Sequence, residues 1–150
     1  MGLLLVMKTL NLNQVKTFAK LAHAKHFRRD GVTPYFTHLE GVAKLDGYLS
    51  DEEAMVAYLH DILEDYKYTN VTIEDLLNIG IKRKVIAAVI AITKLENESN
   101  EEYWLKVSHN KMAVKVKLLD MAYNYADSPT ENQKKKYDAG FEFFKNLGLE

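Results

Sequence analysis

The sequence predicts an all-α fold, and three features of the chain support this prediction. Its 150 residues include only two prolines and seven glycines, which fall between periodic segments. Apolar residues within those segments recur three and four positions apart, as on one face of a helix. Two capping boxes begin at Ser50 and Thr130, each with Glu or Gln three positions later. The length favours one domain, residues 1–150, that is large enough for a real core.

The first half of the chain contains three predicted helices. Asn13 is the expected N-cap of the first, whose inward residues are Val15, Phe18, Ala19 and Ala22. Residues 25–35 are expected to form a loop, because Gly31 permits a turn and Pro34 disfavours helix before it. A second helix is predicted over residues 37–49, with inward residues Leu39, Val42, Ala43 and Tyr48.

The third helix begins at Ser50 and is expected to carry residues 58–65 at its C-terminal end. Residues 66–70 are a predicted loop. A short helix is expected to begin at Thr72 and end at Gly80.

Residues 81–94 are apolar nearly all round, which predicts a buried helix. A polar connection over residues 95–100 and a helix over 101–108 follow. A long helix is expected to open at Asn110 or Lys111 and to run to about Asp127, before Pro129. The final helix follows Thr130, is expected to end at Gly148, and presents Tyr137, Phe141, Phe144 and Leu147 inward.

Composition excludes several classes of function. The formal net charge of -1 gives no global field that would attract nucleic acid or an anionic membrane. The absence of cysteine excludes disulfides, thiolate nucleophiles and cysteine-ligated zinc. The apolar segment at residues 2–7 is too short for a membrane span and lacks the features of a signal peptide. The expectation is a cytoplasmic protein without a nucleic-acid or membrane partner.

The stretch over residues 58–65 carries the strongest chemical signal. It holds His60, Asp61, Glu64 and Asp65 among apolar residues, with a helical pattern. Carboxylates so close together repel one another, and a divalent cation would relieve that repulsion. Histidine nitrogen and carboxylate oxygen together suit a first-row metal. The alternative is an acidic, solvated helix end with one stray histidine.

A second polar face lies on the long helix, where Lys117, Asp120, Asn124 and Asp127 recur three and four positions apart. Neighbouring apolar residues indicate that this face points inward, and carboxylates are rarely buried without a partner. A ligand role for Asp120 is therefore favoured over a solvated Lys117–Asp120 ion pair.

The other histidines and the basic residues are weaker signals. His23 and His109 are interpreted as structural or surface residues, whereas His26 is left open. Arg28 and Arg29 share a loop with Tyr35, and such arginines can bind phosphate. The run of lysines at 134–136 is expected to be a solvated face.

Several of these residues form an ordered set along the chain. In order, they are Ala22-His23, Arg28-Arg29-Asp30-Gly31, Pro34-Tyr35, His38, Leu59-His60-Asp61, Glu64-Asp65, Thr93-Lys94, Asp120 and Asn124. This set resembles the HD superfamily of metal-dependent phosphohydrolases, and within it the alarmone hydrolase domain of Rel/SpoT proteins. The resemblance covers residues 22–124 and implies a single-domain HD-type helical bundle with a buried metal site.

The resemblance also implies residue roles. The metal would be Mn²⁺, with another divalent transition metal as the alternative, and its ligands would be His38, His60, Asp61 and Asp120. Glu64 and Asp65 would position and activate the attacking water. The expected substrate-binding residues are Arg28, Arg29, Tyr35, Lys94, Asn124 and Asp127.

The activity implied is hydrolysis of a small phosphorylated nucleotide, with removal of the 3′-diphosphate of guanosine tetra- or pentaphosphate as the first choice. An HD phosphohydrolase acting on NADPH or another nucleotide is the nearest alternative. A non-catalytic nucleotide-binding regulator is a further one, and a helical interaction module is the last. Two departures from the family pattern concern the substrate shell: Tyr66 replaces a common Thr, and Asp127 stands where a hydroxyl is usual.

Overall fold

A computed structural model describes residues 8–149 of the chain and confirms the all-α prediction within that range. Its nine helices there are α1 Leu12–Ala22, α2 Phe36–Lys44, α3 Asp51–Leu59, α4 Tyr66–Thr69, α5 Ile73–Ile79, α6 Arg83–Ile92, α7 Asn100–Ser108, α8 Lys111–Tyr125 and α9 Glu131–Asn146. No helix among the described residues is both long and apolar enough to cross a membrane. The apolar segment at residues 2–7 lies outside the described range.

Helix α3 is the central element of the fold. Every residue from Ala54 to Leu59 is buried, so the helix is surrounded on all sides. It packs against α1, α2, α6 and α8. A helix with an apolar surface all round is stable only in such an environment. The C-terminal end of α3 therefore delivers the residues that follow Leu59 into the interior of the bundle.

Helix α8 is the second organising element, because it packs against α2, α3, α6, α7 and α9. Its approach to α2 depends on Gly41. A Cβ atom built on Gly41 would overlap the ring of Tyr123, so a larger residue would force that ring to move. This close approach brings His38 of α2 beside Asp120 of α8.

Most helices begin and end at the capping residues that the sequence predicts. Capping boxes at Ser50 and Thr130 are confirmed, Thr72 begins α5 as predicted and also forms a capping box, and Gly80 ends α5 with a left-handed φ of 95°. The predicted cap at Asn13 is wrong, because Asn11 caps α1 and forms its own capping box with Gln14.

Several predicted boundaries and inward faces are wrong. Helix α2 ends at Lys44, and Tyr48 is 84% exposed because the chain turns at Gly47 before reaching it. Residues 66–70 contain the short helix α4. The outer face of α6 leaves Ile90 partly exposed, and Leu147 lies beyond the packed part of α9.

Candidate metal centre

The stretch predicted as one helix over residues 58–65 is divided at His60. Helix α3 ends at Leu59, His60 is its C-cap, and residues 60–65 form turns. One helical hydrogen bond persists, from the Asp65 amide to the Asp61 carbonyl at 2.9 Å. The turn rotates Asp61 toward α2 and α8, while Glu64 reaches the end of α6. The acidic side chains therefore do not line one helix face.

The four predicted metal ligands lie together in the bundle. Asp120 Oδ1 is 2.9 Å from His38 Nε2 and 3.2 Å from His60 Nε2. Asp61 Oδ2 is 3.1 Å from His60 Nε2 and 3.8 Å from His38 Nε2. Adjacent ligand atoms of a small octahedral cation lie about 3 Å apart. The ligand atoms of His38, His60 and Asp120 all lie within 4.8 Å of one another, a spacing that fits a metal coordination sphere, and Asp61 adjoins this group through His60.

The imidazole of His60 is oriented by its own helix. His60 Nδ1 lies 2.6 Å from the carbonyl oxygen of Ala57, to which it donates. This bond leaves Nε2 facing Asp61 and Asp120. Metal-binding histidines commonly hold their second nitrogen in this way, since the bond fixes both tautomer and ring orientation.

The electrostatics of the four groups are strongly coupled. Burial lowers the pKa of His60, but the neighbouring Asp61 and Asp120 outweigh this effect and raise it well above its usual value. Burial alone would raise the pKa of both Asp61 and Asp120. However, His60 holds the pKa of Asp61 below its usual value, and Lys117 together with His60 holds the pKa of Asp120 far below its usual value. Both carboxylates are ionised in this setting, as cation binding requires.

Tyr35 supports the centre from the loop before α2. Its hydroxyl donates to Asp61 Oδ2 at 2.5 Å. The phenol, predicted to bind substrate, thus holds a predicted metal ligand and also lines the cleft beside it.

Glu64 lines the cleft beside the four predicted ligands, whereas the Asp65 carboxylate lies 3.6 Å from His26 Nδ1. Glu64 Oε1 accepts a hydrogen bond from the Lys94 amide at 2.9 Å. Burial and the nearby Asp61 raise the pKa of Glu64, and burial, Asp61 and Glu64 together raise the pKa of Asp65 to about 7. A carboxylate with a pKa near neutrality is suited to accept a proton from water.

A cleft of about 180 Å³ opens beside the four ligands and is lined by Glu64, Lys117, Asn124, Lys136 and Tyr137 among others. Lys117 Nζ lies 3.3 Å from Asp120 Oδ2, and its side chain is only 18% exposed. The expected ion pair of α8 thus exists, but inside the site. The cleft is large enough for several water molecules or a phosphate group.

Lys136 corrects the prediction that the lysine run at 134–136 is simply a solvated face. The residue is exposed overall, but its side chain lines the cleft, where burial and Lys117 lower its pKa. A signal was present in the sequence, because Lys136 lies one helical turn before the buried Gly140 and two turns before Phe144.

Four of the six predicted substrate-binding residues lie where the first loop meets the end of α8. They are Arg28, Arg29, Asn124 and Asp127. Arg28 Nη2 lies 2.7 Å from Asp127 Oδ2 and 3.5 Å from Asn124 Oδ1. Arg29 Nη1 donates to Gln133 at 3.1 Å. Asp127 carries a carboxylate that would repel a phosphate group directly, but here it orients Arg28.

Lys94 contacts the site from the end of α6. Its amide binds Glu64, and its Nζ donates to the Glu98 carbonyl at 2.8 Å. The residue lines a smaller cavity of about 100 Å³ that also includes Lys117 and Lys136. Three lysines therefore surround this side of the centre.

The remaining histidines differ from one another. His109 is exposed, as predicted. His23 and His26 are buried, with their Nδ1 atoms 3.1 Å apart. Burial lowers the pKa of His23 to about 4 and also lowers the pKa of His26, so both rings are neutral near pH 7.

Comparison with known proteins supports the predicted resemblance. No family model matches the chain. A guanosine-3′,5′-bis(diphosphate) 3′-pyrophosphohydrolase from Haemophilus influenzae is 28% identical over 116 residues, an alignment that covers 71% of this chain and 17% of that enzyme. The chain thus corresponds to a minor part of that relative's length.

Among solved structures, the chain is similar to a metazoan ortholog of SpoT that is described as hydrolysing ppGpp. The two superpose with a TM-score of 0.69 at 22% identity, covering 93% of this chain and 96% of that one. The resemblance to the Rel/SpoT hydrolase domain predicted from the sequence is therefore confirmed, and the chain has the all-helical fold of the metazoan SpoT ortholog.

Proposed function

We propose that this chain is a Mn²⁺-dependent phosphohydrolase that removes the 3′-diphosphate of guanosine tetra- or pentaphosphate. The observation that carries the proposal is the convergence of His38, His60, Asp61 and Asp120 next to a cleft that contains acidic and basic side chains. The similarity to a pyrophosphohydrolase of this specificity supports the choice of substrate.

The donor set fits a divalent transition metal. Two imidazole nitrogens and two ionised carboxylates suit Mn²⁺ or Fe²⁺ better than Ca²⁺, which prefers oxygen alone. The cation would be held by His38, His60, Asp61 and Asp120. When bound, it supplies Lewis acidity that lowers the pKa of water and polarises a phosphoryl oxygen.

Glu64 and Asp65 supply the proton acceptors of the proposed reaction. Glu64 lines the cleft and Asp65 is its neighbour in the chain, neither is among the proposed ligands, and burial raises the pKa of both. Either carboxylate can take the proton that the attacking water loses when its oxygen bonds to phosphorus. The bond between phosphorus and the 3′ oxygen then breaks, the 3′ oxygen takes the proton back from the carboxylic acid to become a hydroxyl group, and pyrophosphate is released.

The basic side chains around the cleft hold the anionic substrate. Lys117 and Lys136 line the cleft itself, while Lys94 lines the adjoining cavity. Arg28 offers a planar fork for phosphate at the rim, already oriented by Asp127. Asn124, which lies between Asp120 and Arg28, is placed to hold the substrate near the metal.

Product analysis on a nucleotide panel tests the proposal. Metal-loaded protein is incubated with ppGpp, pppGpp, NADPH and GTP, and an Asp61→Ala variant serves as the control. The expected result is Mn²⁺-dependent release of pyrophosphate from ppGpp and pppGpp by the unaltered protein alone. Release of phosphate from NADPH without turnover of ppGpp would contradict the proposed substrate, and ligand binding without any product would favour a regulator.

A further inference from the structure

A second group of potential ligands lies outside the four-residue centre. His23 at the end of α1, His26 in the following loop and Asp65 before α4 present ligand atoms that all lie within 4.8 Å of one another. His23 Nδ1 and His26 Nδ1 are 3.1 Å apart, and His26 Nδ1 is 3.6 Å from Asp65 Oδ2. We refer to these three residues as the His23–His26–Asp65 cluster.

We propose that the His23–His26–Asp65 cluster is a second metal site, specific for zinc. Tetrahedral zinc with bonds of about 2.0–2.1 Å places its ligand atoms about 3.3 Å apart, and the two measured distances lie on either side of this value. Two histidines and one carboxylate are also a common protein donor set for zinc, which leaves a fourth position for water.

Burial of the cluster supports a ligand role. His23 is 1% and His26 7% exposed. Among the described residues, Asp65 Oδ2 has no hydrogen-bond partner, although the atom is buried. An unpaired, buried carboxylate oxygen that faces two imidazoles is costly, and a cation between them would offset the cost.

The cluster is rigid and accessible. The ring of His26 is stacked between those of Tyr35 and Tyr68, with centroid distances of 3.9 and 4.0 Å, so its plane is fixed before any ion binds. His23 also lines an apolar cleft of about 500 Å³ between α1 and the start of α2, which offers an entry path.

The proton balance of binding is simple. One Nδ1 atom of the histidine pair carries the proton that joins the two rings at 3.1 Å. Coordination through both Nδ1 atoms moves that proton to Nε2 of the same ring, so the histidine pair loses no proton. Asp65 binds as the carboxylate, and any proton on its carboxyl group is released to solvent.

Zinc in the cluster would engage Asp65, one of the two proton acceptors of the proposed reaction. The cluster would then be an inhibitory site next to the catalytic metal, and this consequence rests on the proposed function. The existence of the zinc site itself does not depend on it.

Zinc binding to the intact chain and to three variants tests the site. Isothermal titration and elemental analysis are applied to the unaltered protein, His26→Gln, His26→Phe and His109→Gln. Glutamine retains a polar side chain, phenylalanine retains the stack between the tyrosines, and His109 is an exposed control. We expect two zinc ions per chain in the unaltered protein and His109→Gln. Loss of a direct ligand should weaken the second ion at least 100-fold in both His26 variants, more than the loss of an outer-shell partner does.

A single zinc ion per unaltered chain, or equal affinity for the second ion in the His26 variants, would overturn the proposal. Activity provides a separate readout: zinc that fills the cluster should slow nucleotide hydrolysis in the unaltered protein at concentrations that spare His26→Gln. If the chain hydrolyses no nucleotide, the function fails, and zinc stoichiometry still decides the site.

Discussion

The buried carboxylate of Asp65 destabilises the folded protein, and the rest of the fold must offset that cost. Its carboxylate is partly buried near Asp61 and Glu64, and among the described residues its Oδ2 accepts no hydrogen bond. Burial and these neighbours raise its pKa to about 7, so the ionised form destabilises the folded protein. The same feature makes Asp65 a suitable proton acceptor near neutral pH.

Replacement of Asp65 by Asn should therefore stabilise the metal-free protein at pH 8. The folded pKa lies above the unfolded one, so wild-type stability falls as pH rises from about 4 to about 7. Three pKa units correspond to about 4 kcal/mol, which partial exposure of the side chain reduces to about 2 kcal/mol. Urea unfolding with a chelator at pH 8 and pH 4 measures the difference. An equal effect of the substitution at both pH values would refute this explanation.

Lys136 lines the cleft, where we propose that it binds the substrate. Substitution by alanine should raise KM for ppGpp about tenfold with a smaller change in kcat, because one charge-assisted contact to phosphate is worth about 1.5 kcal/mol or more. Steady-state kinetics measure both constants. Lys135→Ala is the matched control, since Lys135 is exposed and does not line the cleft. An unchanged KM in Lys136→Ala would remove this residue from the substrate site.

At the scale of elements, the metal centre depends on how α2, α3 and α8 approach one another. Helix α2 carries His38, the end of α3 supplies His60 and Asp61, and α8 carries Asp120. Tyr123 of α8 packs edge-on against His38, with ring centroids 5.1 Å apart, and also covers Gly41. Packing between α2 and α8 therefore sets the distance between ligands that are far apart in sequence.

Gly41→Ala should disturb that packing. The added methyl group would overlap Tyr123, and overpacking of this kind costs about 1–3 kcal/mol. The displaced helices should also bind Mn²⁺ more weakly, because His38 and Asp120 would separate. Thermal unfolding and metal titration check both effects. Combining the substitution with Tyr123→Leu should restore part of the stability, and a single variant with unchanged stability and affinity would disprove the close approach.

The elements also show what sequence can and cannot predict. Caps and apolar spacing are local, so the capping boxes at Ser50 and Thr130 and the helix start at Thr72 were predicted correctly. The end of α3 at Leu59 was missed because contacts distant in sequence fix the turn after it. The clearest example is the bond from the Lys94 amide to the Glu64 carboxylate, which joins residues 30 positions apart.

The spacing of the predicted ligand residues along the sequence identifies them as inward-facing. The surroundings of the site could not be predicted from spacing alone. Lys136 reaches the cleft only through the packing of α9 on α8. His23 and His26 meet Asp65 only because the loop after α1 folds back toward α4. These contacts depend on tertiary structure rather than on local pattern.

At the scale of the whole molecule, the bundle encloses a cluster of ionisable side chains whose repulsion a bound cation would relieve. Two histidines and two carboxylates lie at the convergence of three helices, each nearly buried. Folding of the metal-free protein must offset their desolvation, and metal binding should return that free energy as stability.

Addition of Mn²⁺ should accordingly raise the melting temperature. A ligand at 100 times its dissociation constant adds about 2.7 kcal/mol, which for a protein of this length corresponds to about 5–10 °C. Scanning calorimetry with Mn²⁺ or with a chelator measures the shift. Asp61→Ala should show almost none, and an equal shift in that variant would mean that the stabilising ion binds elsewhere.

Anomalous X-ray diffraction from crystals grown with Mn²⁺ tests the central claim most directly. We expect one strong manganese peak within bonding distance of His38 Nε2, His60 Nε2, Asp61 and Asp120. Crystals of Asp61→Ala should show no such peak. A well-ordered set of these four side chains without a peak between them, in crystals saturated with Mn²⁺, would contradict the metal centre and the hydrolase built on it.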